Sequence, residues 1–167
     1  MVKSRKYETV SGSTKHGIVI DDKIILTTIS KNNEYKLKIE CEMLETLTQL
    51  GFCVPRFSFN KIFDEYIMEQ EFIKNANFYK LSFTIDIIKE ELRKELEKLI
   101  FLLQQNHIVI VDLQFLYTDT KIYIIDPNNI IFLSQNYKHF YPQIKYNKKY
   151  VNDMFERQIK ILKQLIE

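Results

Sequence analysis

A chain of 167 residues that is 46% hydrophobic and 13% aromatic can bury a core of its own, as one domain or as two small lobes, and is not a disordered segment. Its charge is nearly balanced, 24 basic against 22 acidic residues for a net +2, so an electrostatically driven nucleic-acid binder is not expected. No apolar run approaches the ~18 residues of a membrane span, and the opening MVKSRKYETV lacks the apolar core of a secretory leader. A cytoplasmic monomer without membrane contact is therefore expected, with Cys41 and Cys53 as separate reduced thiols.

The first stretch reads as strands divided by turns. Tyr7–Val10 leads into Ser11-Gly12-Ser13-Thr14, then Gly17–Ile20, a tight Asp21-Asp22 turn, and Lys23–Ile29. A helix follows, capped by Asn32 or Asn33, with Ile39, Met43, Leu47 and Leu50 at helical spacing and Gly51 just past its end. Val54–Phe57 restarts the chain extended, and Phe63–Met68 reads as a further strand pair. Around Glu69–Asn77 the periodicity fails, which predicts a linker.

A longer helix is predicted from about Lys89 to Gln105, with Leu92, Leu96, Leu99 and Leu103 as its buried stripe. Next comes His107–Ile130, which holds two β-branched runs that each close on a carboxylate: Ile108–Val111 into Asp112, and Ile122–Ile125 into Asp126. An irregular, aromatic and basic segment covers Asn128–Lys149. The last helix, from about Tyr150, carries Phe155, Ile159, Leu162 and Ile166 on one face. A strand-rich front and a helical back predict an α+β fold of two lobes, 1–70 and 71–167, joined by a hinge; the competing architecture is a single-layer α+β sandwich.

Four features carry chemistry. Two aspartates at neighbouring strand ends could meet over one cation, although Asp is also an ordinary turn residue. Gly12-Ser13-Thr14-Lys15-His16-Gly17-Ile18-Val19 lies between strands and has the form GxTxxGxV, one glycine short of the Gly-rich loop GxGxxGxV that covers phosphates; a plain surface hairpin is the bland alternative. Glu40 precedes Met43-Leu44 in the register of a helix glutamate that faces a phosphate-side lysine. The cluster Tyr137, Phe140, Tyr141 and Tyr146, mixed with lysines, is either a partner surface or inward packing. The three histidines, His16, His107 and His139, have no partners at metal-ligand spacing.

In this order and spacing the segments resemble a minimal, degenerate protein kinase, similar in build to small bacterial effector kinases of the OspG type. Gly12–Val19 resembles the Gly-rich loop, and Ile24–Ile29 the strand that carries the phosphate-binding lysine. Glu40 resembles the αC glutamate, and Tyr66–Glu69 the strand entering the hinge. Lys89–Gln105 resembles the αE helix, His107–Leu113 the catalytic loop, and Lys121–Asp126 the strand that ends in the DFG aspartate.

The resemblance implies a bilobal fold with a reduced C-lobe, ATP and Mg²⁺ as cofactors, and transfer of the γ-phosphoryl group to a protein hydroxyl. Asp112, Glu40 and Lys15 would be catalytic. Gly12, Ser13, Thr14, Gly17, Val19 and Glu69 would hold nucleotide, and Asp126 with Gln114 the metal. A protein substrate or partner would meet the 128–149 segment, and the effector likeness extends the expected location to a host cell.

Departures are equally plain. Thr27 overlays the lysine, leaving Lys15 or Lys23 as surrogates; Ile110 and Val111 replace the His and Arg of HRD; Tyr117 stands where Asn is expected; and DFG reads Asp126-Pro127-Asn128. The class rival is therefore a pseudokinase, a binding module on the same scaffold.

Overall fold

The computed structural model describes residues 8–11, 15–28 and 34–167. Among them, three α-helices and ten strands alternate in an α+β arrangement of antiparallel sheets. Two compact units divide the chain. One takes the chain up to Glu42 together with Pro55–Asn75; the other is Met43–Val54 with Ala76–Glu167. No helix among the described residues is long and apolar enough to cross a membrane.

The first unit is a five-stranded sheet in the order β1-β2-β3-β5-β4, formed by β1 (Glu8–Ser11), β2 (Lys15–Ile20), β3 (Lys23–Thr28), β4 (Phe57–Ile62) and β5 (Glu65–Glu71). Strand alternation sorts the residues onto two faces. Val19, Leu26 and Met68 share a buried face, since Val19 pairs with Ile24 and Leu26 with Met68. The first turns of α1 (Glu34–Gln49) cover that face: Leu37 and Cys41 are buried, and Cys41 Sγ lies 3.3 Å from Met68 Sδ.

The turn between β4 and β5, Phe63-Asp64, holds both residues at positive φ, as a two-residue hairpin connection requires. Glu69–Glu71 belongs to β5 rather than to a linker. Gln70 is buried on the helix face, while Glu69 and Glu71 lie on the other face against Lys23 and Arg56, an alternation that imitates polar loop composition. The connecting stretch shrinks to residues 72–76.

The second unit is built around α2 (Glu90–Asn106) and α3 (Lys148–Leu165). Leu92, Leu96, Leu99, Ile100 and Leu103 of α2 are buried, as the leucine spacing predicts. Glu90 and Glu91 complement the helix dipole at its start, and His107 ends it in the left-handed conformation. The Arg93 guanidinium donates to the Ile166 carbonyl and ties α2 to the end of α3.

Against these helices lie β7 (Ile108–Val111) and β10 (Asn129–Phe132), paired antiparallel, and a three-stranded sheet of β6 (Asn77–Lys80), β8 (Gln114–Tyr117) and β9 (Ile122–Ile125) in the order β6-β8-β9. Val109, Ile131, Leu133 and Val151 form one core cluster, onto which Tyr137, Tyr146, Met154 and Phe155 pack. The edge of β9 is covered by the loop after α1, where Ile124 N–H donates to the Cys53 carbonyl at 2.9 Å.

Strand β6 is short and hides a single side chain. Tyr79 is 0% exposed and stacks on Phe115 at 4.5 Å, yet its hydroxyl has no hydrogen-bond partner among the described residues. Burial pushes the phenol up to about 12. Tyr79→Phe is therefore expected to raise stability by up to about 1 kcal/mol at neutral pH, because an unmatched buried polar group is removed without altering the ring. Above pH 10 the unfolded chain releases this proton before the folded chain does, so wild type loses a further ~2 kcal/mol as pH climbs toward 12. Urea melts of both proteins at neutral and alkaline pH check this. A gap that does not widen with pH contradicts it.

Candidate functional site

Asp112 and Asp126, both in the second unit, sit at one structural event. Strands β7 and β10 pair with Val111 opposite Asn129; β8 and β9 pair with Gln114 opposite Ile125. The four strands thus form one long hairpin, interrupted once, with 112–113 on one side and 126–128 on the other. The extra residue is a bulge-like excess, and it lets the two halves of the hairpin join different sheets. Both aspartates mark the break in the left-handed region, Asp112 at φ 55° and Asp126 at φ 49°. Asp tolerates this conformation better than most residues, while a β-branched residue would not. Pro127, whose missing N–H would weaken a continuous ladder, falls inside the gap, and Asn128 N–H closes it by donating to the Val111 carbonyl at 3.2 Å.

Asp112 and Asp126 are both exposed, as a group that meets a ligand must be. Gln114 Nε2 donates to Asp112 Oδ2 at 2.8 Å, so the amide nitrogen is engaged and its carbonyl oxygen is the atom left to face a cation. Among the described residues, no three His, Cys, Asp or Glu side chains are grouped to hold a metal by themselves. One carboxylate, Asp126, and one amide oxygen, Gln114, would suit Mg²⁺, which keeps waters and shares phosphate oxygens, better than a metal that needs a full protein cage. The connection between β7 and β8 is only Asp112-Leu113, too short for the loop that would carry a second metal-binding Asn.

Two polar residues that the sequence reading passed over support this break. Gln158 of α3 is 1% exposed; its Nε2 donates to the Ile110 carbonyl at 2.8 Å, and its Oε1 accepts from Ile110 N–H at 3.4 Å. One side chain thereby replaces a neighbouring strand on the free edge of β7, two residues before Asp112. Its signal was available: Val151, Phe155, Gln158 and Leu162 follow one helical stripe, with a single polar member. Asn129, also buried, receives hydrogen bonds at Oδ1 from Ile130 and Phe140 N–H groups. Its Nδ2 donates to Tyr146 Oη at 3.2 Å and lies 3.3 Å from His139 Nδ1, which also accepts from Tyr141 N–H. Asn129 therefore pins the 137–146 segment to the strand that leaves Asp126.

The candidate residues of the first unit are placed as follows. Gly12, Ser13 and Thr14 lie outside the described residues, and Lys15 opens β2 opposite Thr28. Gly17 is buried, and a Cβ there would come within 2.6 Å of Leu26 Cδ2 and 3.0 Å of the Ile25 carbonyl. The glycine thus has a packing reason in the sheet, whatever it does for a ligand. Val19 is fully buried on the face that α1 covers, and Glu40 of α1 is buried at 7% exposure.

Thr27 does not occupy the helix-facing position that the overlay with a kinase lysine demands. It pairs with Ile67 and alternates with Leu26, so it points to the sheet face opposite α1. Lys23, the other surrogate, lies 3.4 Å from Glu69 Oε2 on that same opposite face, which gives both residues a structural partner.

Compared with known proteins, the chain matches no family model, and no curated protein is significantly similar to it.

Proposed function

We propose that the protein is a minimal, bilobal kinase-like protein that binds ATP with Mg²⁺ and passes the γ-phosphoryl group to a protein hydroxyl. The observation that carries this reading is the shared break at Asp112 and Asp126, where two exposed carboxylates leave the two arms of one interrupted hairpin. In that reading Asp126 holds Mg²⁺ with the Gln114 oxygen, and Asp112 orients the acceptor hydroxyl and takes its proton. Mg²⁺, when bound, neutralises charge on the transferring phosphate. Glu40, the segment Gly12–Val19 with Lys15 as the surrogate lysine, and Glu69 are the residues assigned to the nucleotide side. A protein partner meets the 128–149 segment, in a cytoplasm that the effector likeness extends to a host cell.

A second reading, a pseudokinase that acts as a protein-binding module without phosphoryl transfer, is favoured by the two-residue connection after β7, which leaves no chain for a catalytic loop. Thr27 on the far face of the sheet points the same way.

Label transfer from γ-labelled ATP to the protein or to a generic acceptor, in wild type and Asp112→Asn, separates the two. Asn keeps the left-handed backbone and the Gln114 contact but cannot accept a proton. Transfer by wild type that falls about 10²-fold or more in the variant fits the enzyme, on the usual worth of a general base. Equal labelling in both proteins rejects Asp112 as the base, and no labelling with Mg²⁺ or Mn²⁺ leaves the binding module.

A further inference from the structure

The longest stretch of the chain without an acidic residue follows the aspartate break. Between Asp126 and Asp153 the chain has no acidic residue at all, yet it carries Lys138, Lys145, Lys148 and Lys149, all exposed. Elsewhere, Lys23 pairs with Glu69, Lys61 with Asp64, Lys74 with Asp22 and Lys89 with Asp119. Among the described residues, Lys138, Lys145, Lys148 and Lys149 have no ion-pair partner, and what sets them apart from other unpaired lysines is a surrounding sequence free of acid.

The lysines are held together rather than strung out. Tyr137 donates through its hydroxyl to Asn152 of α3, and Lys148 Nζ sits 5.5 Å from the Tyr137 ring centre. This brings Lys138, next to Tyr137, to the first turns of α3. Asn129 fixes Tyr146, between Lys145 and Lys148, from beneath. Lys148 and Lys149 open α3, where the helix dipole adds to their positive potential and no acidic side chain in the first turn offsets it. Two apolar side chains stand among them, Ile144 at 42% and Tyr150 at 60% exposure.

We propose that this surface docks an acidic polypeptide segment that carries a hydrophobic anchor. Charge complementarity selects an acidic ligand, and two exposed apolar side chains in the same stretch, Ile144 and Tyr150, select a protein. Apolar side chains interspersed with charge suit a protein interface, whereas an aliphatic side chain offers little to a stacked base. The absence of arginine from 127–152 also argues against a phosphate backbone, which is gripped best by the guanidinium fork. Tyr137 and Tyr146 pack inward and Tyr141 is buried, so three of the four aromatic anchors expected from sequence serve the core, while Phe140 is half-buried; the lysines, Ile144 and Tyr150 face the partner. This deepens the partner reading of the 128–149 segment and does not depend on nucleotide.

The test is fluorescence anisotropy without nucleotide, with a short labelled Glu/Asp peptide that has a central Leu-Phe pair. The comparators are the same peptide with Lys for its acids, an oligouridylate, and phosphatidylserine vesicles. Saturable binding that weakens with salt, and falls about tenfold or more in K145E/K148E/K149E while thermal stability holds, is the expected result. Tyr150→Ala, with the lysines intact, should weaken the acidic peptide and spare the salt dependence. No saturable binding, equal binding by the triple variant, or preference for oligouridylate or vesicles overturns the proposal. A nucleotide-dependent melt of the same samples shows independently whether the ATP reading stands.

Discussion

Replacing Gln158 by Leu is expected to cost about 2–4 kcal/mol of stability, more than a surface substitution on the same helix. Among the described residues, Gln158 is the group that meets both the N–H and the C=O of Ile110 on the edge of β7 turned away from β10. Leucine fills a similar volume but leaves both backbone groups buried without partners, at roughly 1–3 kcal/mol each. Gln158→Glu should also destabilise, because it removes the donor to the Ile110 carbonyl and introduces a carboxylate into a site that is 1% exposed. Urea unfolding with an unchanged slope reads the loss directly. A change under ~0.5 kcal/mol for the leucine variant would mean that β7 is held without this side chain. Because Ile110 stands two residues before Asp112, the same variant should loosen the aspartate break, seen as faster amide exchange at Val111 and Asp112.

Much of this fold was legible because β-branched runs and leucine spacing answer directly to burial. Ile108–Val111, Ile122–Ile125 and the α2 stripe are where the pattern predicts them, since β7 and the α2 stripe bury nearly every apolar side chain they contain and β9 buries alternate ones. Failures came where polar residues serve structure. Glu69-Gln70-Glu71 reads as loop, but strand pairing puts the glutamates beside Lys23 and Arg56 and hides Gln70.

Strand β6 was invisible because only Tyr79 of its four residues is buried, too few for an alternation signal. The helix-facing assignment of Thr27 came from aligning letters, and a one-residue offset along a strand reverses the face. At the site, the two aspartates could be read as strand ends. Their left-handed backbone and common break could not, because both depend on which strands pair. Gln158 and Asn129 were missed for the same reason: each satisfies backbone groups of segments distant in sequence.

The central claim, that the Asp112–Asp126 break serves ATP with Mg²⁺, is tested most directly by nucleotide-dependent melting of wild type and Asp126→Gly. Glycine accepts φ 49° without strain, so the backbone at the break is kept while the carboxylate is removed. Any stability gained from a freer backbone is seen in the absence of ligand and subtracts out. At about 100 times its Kd, ATP with Mg²⁺ should stabilise wild type by about 2.7 kcal/mol, a rise of roughly 5–11 °C for a chain of this size. The rise should shrink sharply when Mg²⁺ is omitted, and Asp126→Gly should lose the metal-dependent part. No shift of wild type at millimolar ATP with Mg²⁺, or an identical Mg²⁺-dependent shift in Asp126→Gly, would contradict the account.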